Sequence, residues 1–294
     1  GVYVTSPDYL GGVQDIPALA AVCRAQGVPL LVDNAHGAYL RFLPQNCHPI
    51  AQGAAMCCDS AHKTLPVVTG GAYLHLAHDA PVQDEAAVRG ALALFGSTSP
   101  SYLILQSLDV CNAVLAGDYP RRLAQCCAAL EGLRRSLNKA AAARQCPLPL
   151  AVAGAQQEPM KLTLDAAALG CTGTALAESL RRAQMECEYA DPRYVVLMFT
   201  PENPPQDYTR LQTALEQLLA AVPAGLPRPE NRAGEFAASR RCSAAPSGRR
   251  CWAHRCASRC TRRWGGCAPY LRYPVRPPSL WRSAARRSPR RLSL

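Results

Sequence analysis

Val28-Pro-Leu-Leu-Val-Asp-Asn-Ala-His-Gly37 is a short apolar run that ends in a cluster of polar residues. That is the pattern of a strand buried on both faces that delivers side chains to the rim of a sheet. Upstream, Val2-Tyr-Val-Thr-Ser6 reads as a second such strand, followed by a Pro7-Asp8-Tyr9 loop and Gly11-Gly12. Between the two, Asp15 to Gln26 places Ile16, Leu19, Ala20 and Val22-Cys23 at helical spacing and stops at Gly27, so an amphipathic helix is predicted. Strand, helix, strand with continuous apolar strands is the βαβ unit of a parallel sheet.

The pattern continues downstream. His48 to Gln52 is predicted as a short helix, Ala54 to Asp59 as a strand delivering Ser60-Ala-His-Lys63, and Ala72 to Leu76 as a further strand. Ligands of open parallel sheets sit beyond the carboxyl ends of the strands, where Ser6, Asp33, Ser60, His62 and Lys63 fall. Two long helices, Ser101 to Leu115 and Tyr119 to Arg144, lead out of the sheet. Pro147 to about Leu226 reads as an α+β unit with strands near Lys161-Leu-Thr-Leu164 and at Tyr194 to Phe199. Its helices are Thr172 to Ala183 and Gln206 to Ala221. The organisation expected is an α/β large domain with a mostly parallel sheet over residues 1–116, a bridging helix over 117–146, a small α+β domain over 147–230 and a disordered tail over 231–294.

Composition narrows the class. The chain has 294 residues, 49% of them apolar, with Gly and Pro spread throughout, which is globular. Its N-terminus lacks a basic stretch followed by an apolar one, and no run of about eighteen apolar residues occurs. Neither a signal peptide nor a membrane contact is expected, and the cytoplasm is the default compartment. The net charge of +11 points to polyanions until it is divided: from Glu235 onward there are fifteen Arg, no Lys and one acid, leaving −3 for residues 1–234. Basicity belongs to the tail, and no specific nucleic-acid partner is expected. Ten of the fifteen Cys fall in residues 1–234, as singles such as Cys23, Cys111 and Cys171 or as the pairs Cys57-Cys58 and Cys126-Cys127, with no CxxC. Free thiols in a reducing compartment and no metal site are expected.

Only three of the 32 basic residues are Lys, namely Lys63, Lys139 and Lys161. A Lys at a strand end in a dry, glycine-rich pocket has its amine pKa lowered, which suits Schiff-base chemistry with a carbonyl cofactor. Asp33, ending the neighbouring strand, is placed to keep a pyridine nitrogen protonated and its ring an electron sink. Ser60 and His62 flank the Lys and can donate to a phosphate, and His36 can pack near a flat ring. Each residue alone has a plainer use: Asp33 as a turn residue, His36 as a structural side chain, Ser60 as a cap.

Four motifs carry a resemblance. Val4-Thr-Ser-Pro-Asp-Tyr-Leu-Gly-Gly, Leu31-Val-Asp-Asn-Ala-His-Gly-Ala, Asp59-Ser-Ala-His-Lys-Thr-Leu-Pro and Gly96-Ser-Thr-Ser-Pro-Ser-Tyr resemble the ornithine/lysine/arginine decarboxylases, pyridoxal-phosphate enzymes of fold type I. The likeness runs on through Tyr189-Ala-Asp-Pro-Arg-Tyr-Val-Val-Leu-Met-Phe-Thr-Pro-Glu-Asn203 and covers about residues 1–230. It implies that Lys63 binds the cofactor covalently, that Asp33 pairs with the pyridinium nitrogen, and that Ala35 packs on the ring with His36 close to cofactor and substrate. Ser60 and His62 would reach the phosphate or its neighbourhood. The Ser97-Thr98-Ser99 loop resembles the segment that approaches the phosphate of a partner subunit, which implies a homodimer. The implied reaction is decarboxylation of a basic amino acid to its amine.

Two departures from the family pattern stand out. The resemblance begins at the strand before Ser6, whereas family members carry a long preceding stretch with a phosphate loop and a ring-stacking side chain, so an N-terminal truncation with weakened cofactor affinity is expected. The tail's Arg, Cys, Ser, Pro and Trp content is what GC-rich codons give out of frame. Back-translating Arg241 to Arg286 with chosen GC-rich codons and reading from the third base yields a stretch resembling the family's C-terminal segment, so a frameshift between Ala233 and Arg241 is expected. Cys251-x-x-His254-x-Cys256-x-x-x-Cys260 matches no standard zinc spacing. Two other functions remain open: an aminotransferase or lyase on the same scaffold, and an inactive fragment whose Arg-rich tail binds polyanions. Sequence does not choose among lysine, ornithine and arginine; Glu188 and Asp191 are candidate acidic contacts for the distal group, or solvated loop charges.

Overall fold

A computed structural model of the chain describes residues 1–223. Four strands, β1 (Val2–Thr5), β2 (Leu30–Asp33), β3 (Met56–Asp59) and β4 (Tyr73–Leu76), lie side by side in that order, the first three parallel and β4 antiparallel to β3. The register sets Thr5 beside Asp33 and Asp33 beside Cys58, so the carboxyl ends of the parallel strands meet at one rim. β4 runs the other way because the link from β3 holds only the four-residue helix α2 (Ala61–Thr64), too short to return the chain along the sheet.

Helix α1 (Ile16–Ala25) connects β1 to β2. The Asp15 carboxylate accepts the Ala18 N–H at 3.0 Å, Pro17 occupies the first turn, and Gly27 follows at φ +62°. It buries Ile16, Ala20 and Cys23 against Leu30, Val32, Ala54 and Cys57. β2 begins two residues later than the apolar run, because the Val28 N–H turns back to the Cys23 carbonyl at 3.0 Å and Pro29 has no N–H to pair.

The helix expected at His48 to Gln52 is a run of turns. Asn46 Oδ1 captures the His48 N–H at 3.0 Å, His48 Nδ1 faces the Ile50 N–H at 3.4 Å, and Gly53 at φ +101° turns the chain into β3. Among the helices that went unanticipated, α3 (Glu85–Ala93), started by Asp84 accepting the Ala86 N–H at 3.0 Å, buries no residue and so leaves little apolar period to read.

The two long helices are α4 (Tyr102–Ala116) and α5 (Tyr119–Ala143). α5 ties two cores together. Its first turns bury Tyr119 and Leu123 with Ala38, Tyr39 and Met160, and its later turns bury Leu130, Leu133, Leu137 and Ala141 against a second sheet. That sheet is antiparallel, β5 (Lys161–Asp165) beside β7 (Tyr194–Met198) beside β6 (Tyr189–Ala190). Helices α6 (Gly173–Arg182) and α7 (Pro205–Ala221) complete its core with Leu176, Leu180, Leu211, Leu215 and Leu219. Gly173 admits no side chain, since a Cβ there would lie 2.4 Å from the Asp191 carbonyl oxygen.

All described residues belong to one unit, Gly1–Glu230; the tail, with Cys251, His254, Cys256 and Cys260, lies outside them. No helix among the described residues is long and apolar enough to cross a membrane. Leu130 is fully buried where α5 meets the second sheet. Leu130→Ala is expected to destabilise the fold by about 2–5 kcal/mol, read from the urea unfolding midpoint at unchanged slope.

Candidate functional site

β2 ends at Asp33, and the next four residues turn away from the sheet. The Gly37 N–H donates to the Asn34 carbonyl at 2.8 Å, and a Cβ on Gly37 would lie 2.0 Å from Asn34 Oδ1, so only glycine fits. Asn34 is pinned from below by its Nδ2 donating to Asp59 Oδ1 at 2.8 Å. Asp33 Oδ1 accepts the Ala35 N–H at 3.1 Å and Oδ2 accepts the Tyr3 hydroxyl at 3.0 Å. Partial desolvation and the Asp33 carboxylate push the Tyr3 hydroxyl up to about 12, so it stays a donor.

The neighbouring strand delivers Ser60-Ala-His-Lys63 as the short helix α2, which turns Lys63 back toward β2. The Lys63 N–H donates to the Ser60 carbonyl at 3.0 Å, and Lys63 Nζ comes to 3.2 Å from His36 Nε2. The Ser60 hydroxyl makes no capping bond, while His62 Nδ1 lies 2.9 Å from the Gly71 carbonyl oxygen.

Lys63 itself is exposed. The expectation of a dry pocket around it is therefore corrected, because nothing among the described residues folds over the α2 rim. Dry surroundings belong to Lys161, 3% exposed, whose ammonium donates to the Asp8 carbonyl at 2.9 Å and the Tyr9 carbonyl at 3.3 Å. Burial lowers the Lys161 pKa, with Glu158, Asp8 and Glu188 opposing.

Tyr9 forms one wall of the site. Its ring meets the His36 ring edge-on at 5.0 Å, its hydroxyl donates to Glu188 Oε1 at 2.9 Å, and Tyr189 packs against it at 5.3 Å. His36 is buried beneath, and its pKa falls to about 4: burial is the main cause, the Lys161 and Lys63 charges add to it, and Asp33 partly offsets them. At neutral pH the imidazole is uncharged, so Nε2 can accept from the Lys63 ammonium while the ring proton sits on Nδ1. That Nδ1 is buried and has no partner.

The fold thus brings Lys63 and His36 into hydrogen-bond distance, with Asp33 close enough to act on His36. Ala35 is half-buried beside them, held through its N–H by Asp33. Ser97 and Thr98 lie in the exposed link between α3 and α4, where Ser97 Oγ accepts the Ser99 N–H at 3.1 Å. Sequence reading missed Tyr9 and Lys161 as site residues; the scarcity of Lys was the available sign for Lys161. Glu188 was named, but its link to Tyr9 was not foreseen.

The family model for Orn/Lys/Arg decarboxylases, major domain, matches residues 2–157. The chain belongs to the Orn/Lys/Arg decarboxylase family. Among its relatives, a Bacillus subtilis protein designated uncharacterized protein YaaO is 33% identical over 205 residues, covering 67% of this chain and 41% of that protein. An arginine decarboxylase of the same organism is 29% identical over 225 residues, covering 74% of this chain and 45% of that enzyme. The chain thus spans less than half the length of these curated relatives. The lysine decarboxylase LdcF of Francisella novicida superposes with a TM-score of 0.59 at 20% identity, covering 73% of this chain and 35% of that structure. The fold is that of the fold type I pyridoxal-phosphate enzymes.

Within this family member, the His36 environment makes a measurable prediction. In an NMR titration His36 is expected to change charge near pH 4, and in Lys63→Met its midpoint should rise because one repelling cation is gone. The unfolded chain takes up this proton near pH 6.5 and the folded chain does not. The stability His36 confers is therefore complete above about pH 6.5 and is lost progressively as pH falls toward 4.

Proposed function

We propose that this chain carries the cofactor-holding core of a pyridoxal-phosphate-dependent decarboxylase acting on lysine, ornithine or arginine. The observation that carries the reading is the 3.2 Å approach of Lys63 Nζ to the neutral His36 Nε2 at the rim where Asp33 ends β2. The residues present fit the cofactor. An exposed primary amine, a half-buried carboxylate and a buried imidazole nitrogen without a partner converge on one rim of a fold type I sheet.

Pyridoxal phosphate, when bound, supplies an electron sink for the pair left at Cα as CO2 departs. Lys63 would hold the cofactor through its amine. Asp33 would hold a proton on the pyridine nitrogen; its Oδ1 is already oriented by the Ala35 N–H, which fixes the carboxylate before any ligand arrives. His36, kept neutral by burial and two nearby cations, offers Nε2 as a hydrogen-bond acceptor at 3.2 Å and so would orient the Lys63 amine at the rim. Over the whole reaction the bond from Cα to the carboxylate carbon breaks, its electron pair stays on Cα, and a proton replaces CO2 there.

Ala35 gives the ring a small flat neighbour. Ser60 and His62 are the phosphate donors in this reading, and Ser97 and Thr98 serve the phosphate of a second copy, which makes the active unit a homodimer. The division into a large domain over 1–116, a connecting helix and a small domain over 147–230 belongs to the same proposal. So does a cytoplasmic, reducing location, supported by the ten free cysteines among the described residues.

Incubating the chain with pyridoxal phosphate, reducing with borohydride and mapping the peptides tests this directly. A pyridoxyl group is expected on Lys63, lost in Lys63→Ala and retained in the variant of the exposed Lys139, Lys139→Ala. Label scattered over Lys139 and Lys161, or confined to Lys161, overturns the assignment. With a basic amino acid, amine release matched by CO2 separates decarboxylation from transamination, and CO2 release surviving in Lys63→Ala would refute the role given to that lysine.

A further inference from the structure

Asp59 ends β3 on the face opposite Asp33. Cys57 and Asp59 are buried on one side of the strand, while Cys58, the register partner of Asp33, lies on the other. Two imidazoles converge on one oxygen of that carboxylate: His48 Nε2, from the turns before β3, at 3.0 Å, and His75 Nε2, from β4, at 2.9 Å. The two rings meet edge to face at 5.0 Å, and the three donor atoms lie within 4.8 Å of one another. The other oxygen, Oδ1, accepts from Asn34 Nδ2 at 2.8 Å and from the Cys57 thiol at 3.4 Å, and burial pushes that thiol well up, so it stays protonated beside the cluster.

Ligand atoms about 2.0–2.1 Å from a tetrahedral Zn2+ stand about 3.3 Å apart. The two edges to the carboxylate, 2.9 and 3.0 Å, fall a few tenths of an ångström short of that, and the edge between the two imidazole nitrogens is no longer than 4.8 Å, so small rotations of the side chains bring the three atoms onto one ion. His48, Asp59 and His75 also line a cavity of about 560 Å3, bounded on its apolar side by Phe42, Leu65 and Leu115. Arg41 and Asn112 add polar groups to the same wall. Two imidazoles and a carboxylate with one side open to a cavity is the donor set of an exchangeable site, in which a fourth position faces solvent or a small ligand.

We propose that His48, Asp59 and His75 bind one divalent transition-metal ion of the Zn2+ or Co2+ class, with its free coordination position turned into this cavity. Asn34 acts as a positioning residue, orienting Asp59 through the oxygen the metal does not use. Binding places the His48 proton on Nδ1, giving up the long 3.4 Å contact from the Ile50 N–H. None of the three ligands is among the residues assigned to the Lys63 rim, so the site stands or falls independently of the proposed decarboxylation.

Co2+ titration of the chelator-stripped full chain is the test. One equivalent is expected to give a visible ligand-field band of low coordination without thiolate charge transfer, and Zn2+ should displace it. The absence of charge transfer separates this site from any binding by the cysteines of the tail. His75→Gln keeps a donor toward Asp59 while removing the imidazole. It is expected to leave the unfolding midpoint of the metal-free chain in place and weaken Co2+ binding about tenfold or more. A parent chain with no such band, or a band that survives both His75→Gln and His48→Gln, overturns the proposal and leaves the cluster as a hydrogen-bonded support for a buried carboxylate.

Discussion

The arrangement around His36 depends on one buried ammonium. Lys161 opens β5 in the second sheet, yet its Nζ reaches the carbonyls of Asp8 and Tyr9 in the loop that follows β1. Further hydrogen bonds close the same seam: the Glu158 N–H donates to the Gly11 carbonyl at 2.8 Å, the Val13 N–H to the Gln156 carbonyl at 2.9 Å, and the Thr163 hydroxyl to the Leu10 carbonyl at 2.7 Å. Removing the ammonium would leave two carbonyls facing a dry seam, which is why its burial is tolerated. Because the seam fixes residues 8–13, the Tyr9 ring is held against His36.

The seam is anchored in turn by α5. Arg134, buried on that helix, donates to the carbonyls of Glu158 at 3.4 Å, Pro159 at 2.9 Å and Lys161. Glu158 accepts the Tyr39 hydroxyl and the Met160 N–H, and full burial raises its pKa despite both bonds. Tyr39 follows directly on the turn that carries Ala35 and His36. The helix that joins the two cores therefore also bears on the segment from which the site is built. Burial is the main reason that the His36 imidazole stays neutral, and two cations, Lys161 from the seam and Lys63 from the rim, add to it.

Much of this was legible in the sequence, and the reasons differ by element. The βαβ unit was readable because α1 buries Ile16, Ala20 and Cys23 at helical spacing and both strands are apolar runs. The rim residues Asp33, His36 and Lys63 were readable because strand ends and motif agree. The environment of Lys63 was not, since burial of a rim lysine depends on what folds over it and not on its neighbours in sequence. Lys161 sits in a strand whose five residues are all buried, so no alternation marked its side chain as reaching across to Asp8 and Tyr9. His48, Asp59 and His75 show no ligand spacing because three separate segments supply them: the register of β3 against β4 sets His75 beside Cys57, two residues from Asp59, and the turns before β3 bring in His48.

That register explains how one short strand serves two sites. Successive side chains of a strand point to opposite faces, so Asp59 and Cys58 cannot share a surface. Cys58 pairs with Asp33 and belongs to the face of the lysine rim, whereas Asp59 turns to His48 and His75. Asn34 spans the division: its backbone belongs to the turn that carries His36 and its side chain holds Asp59 Oδ1. A one-residue slip of β3 would exchange the faces, setting a carboxylate on the rim and leaving the imidazoles without theirs. The hydrogen bonds that Asp59 accepts from Asn34, His48 and His75 therefore do more than satisfy a buried charge. They fix the register of the strand that leads into Lys63, so the unassigned cluster on one face sets the position of the lysine on the other.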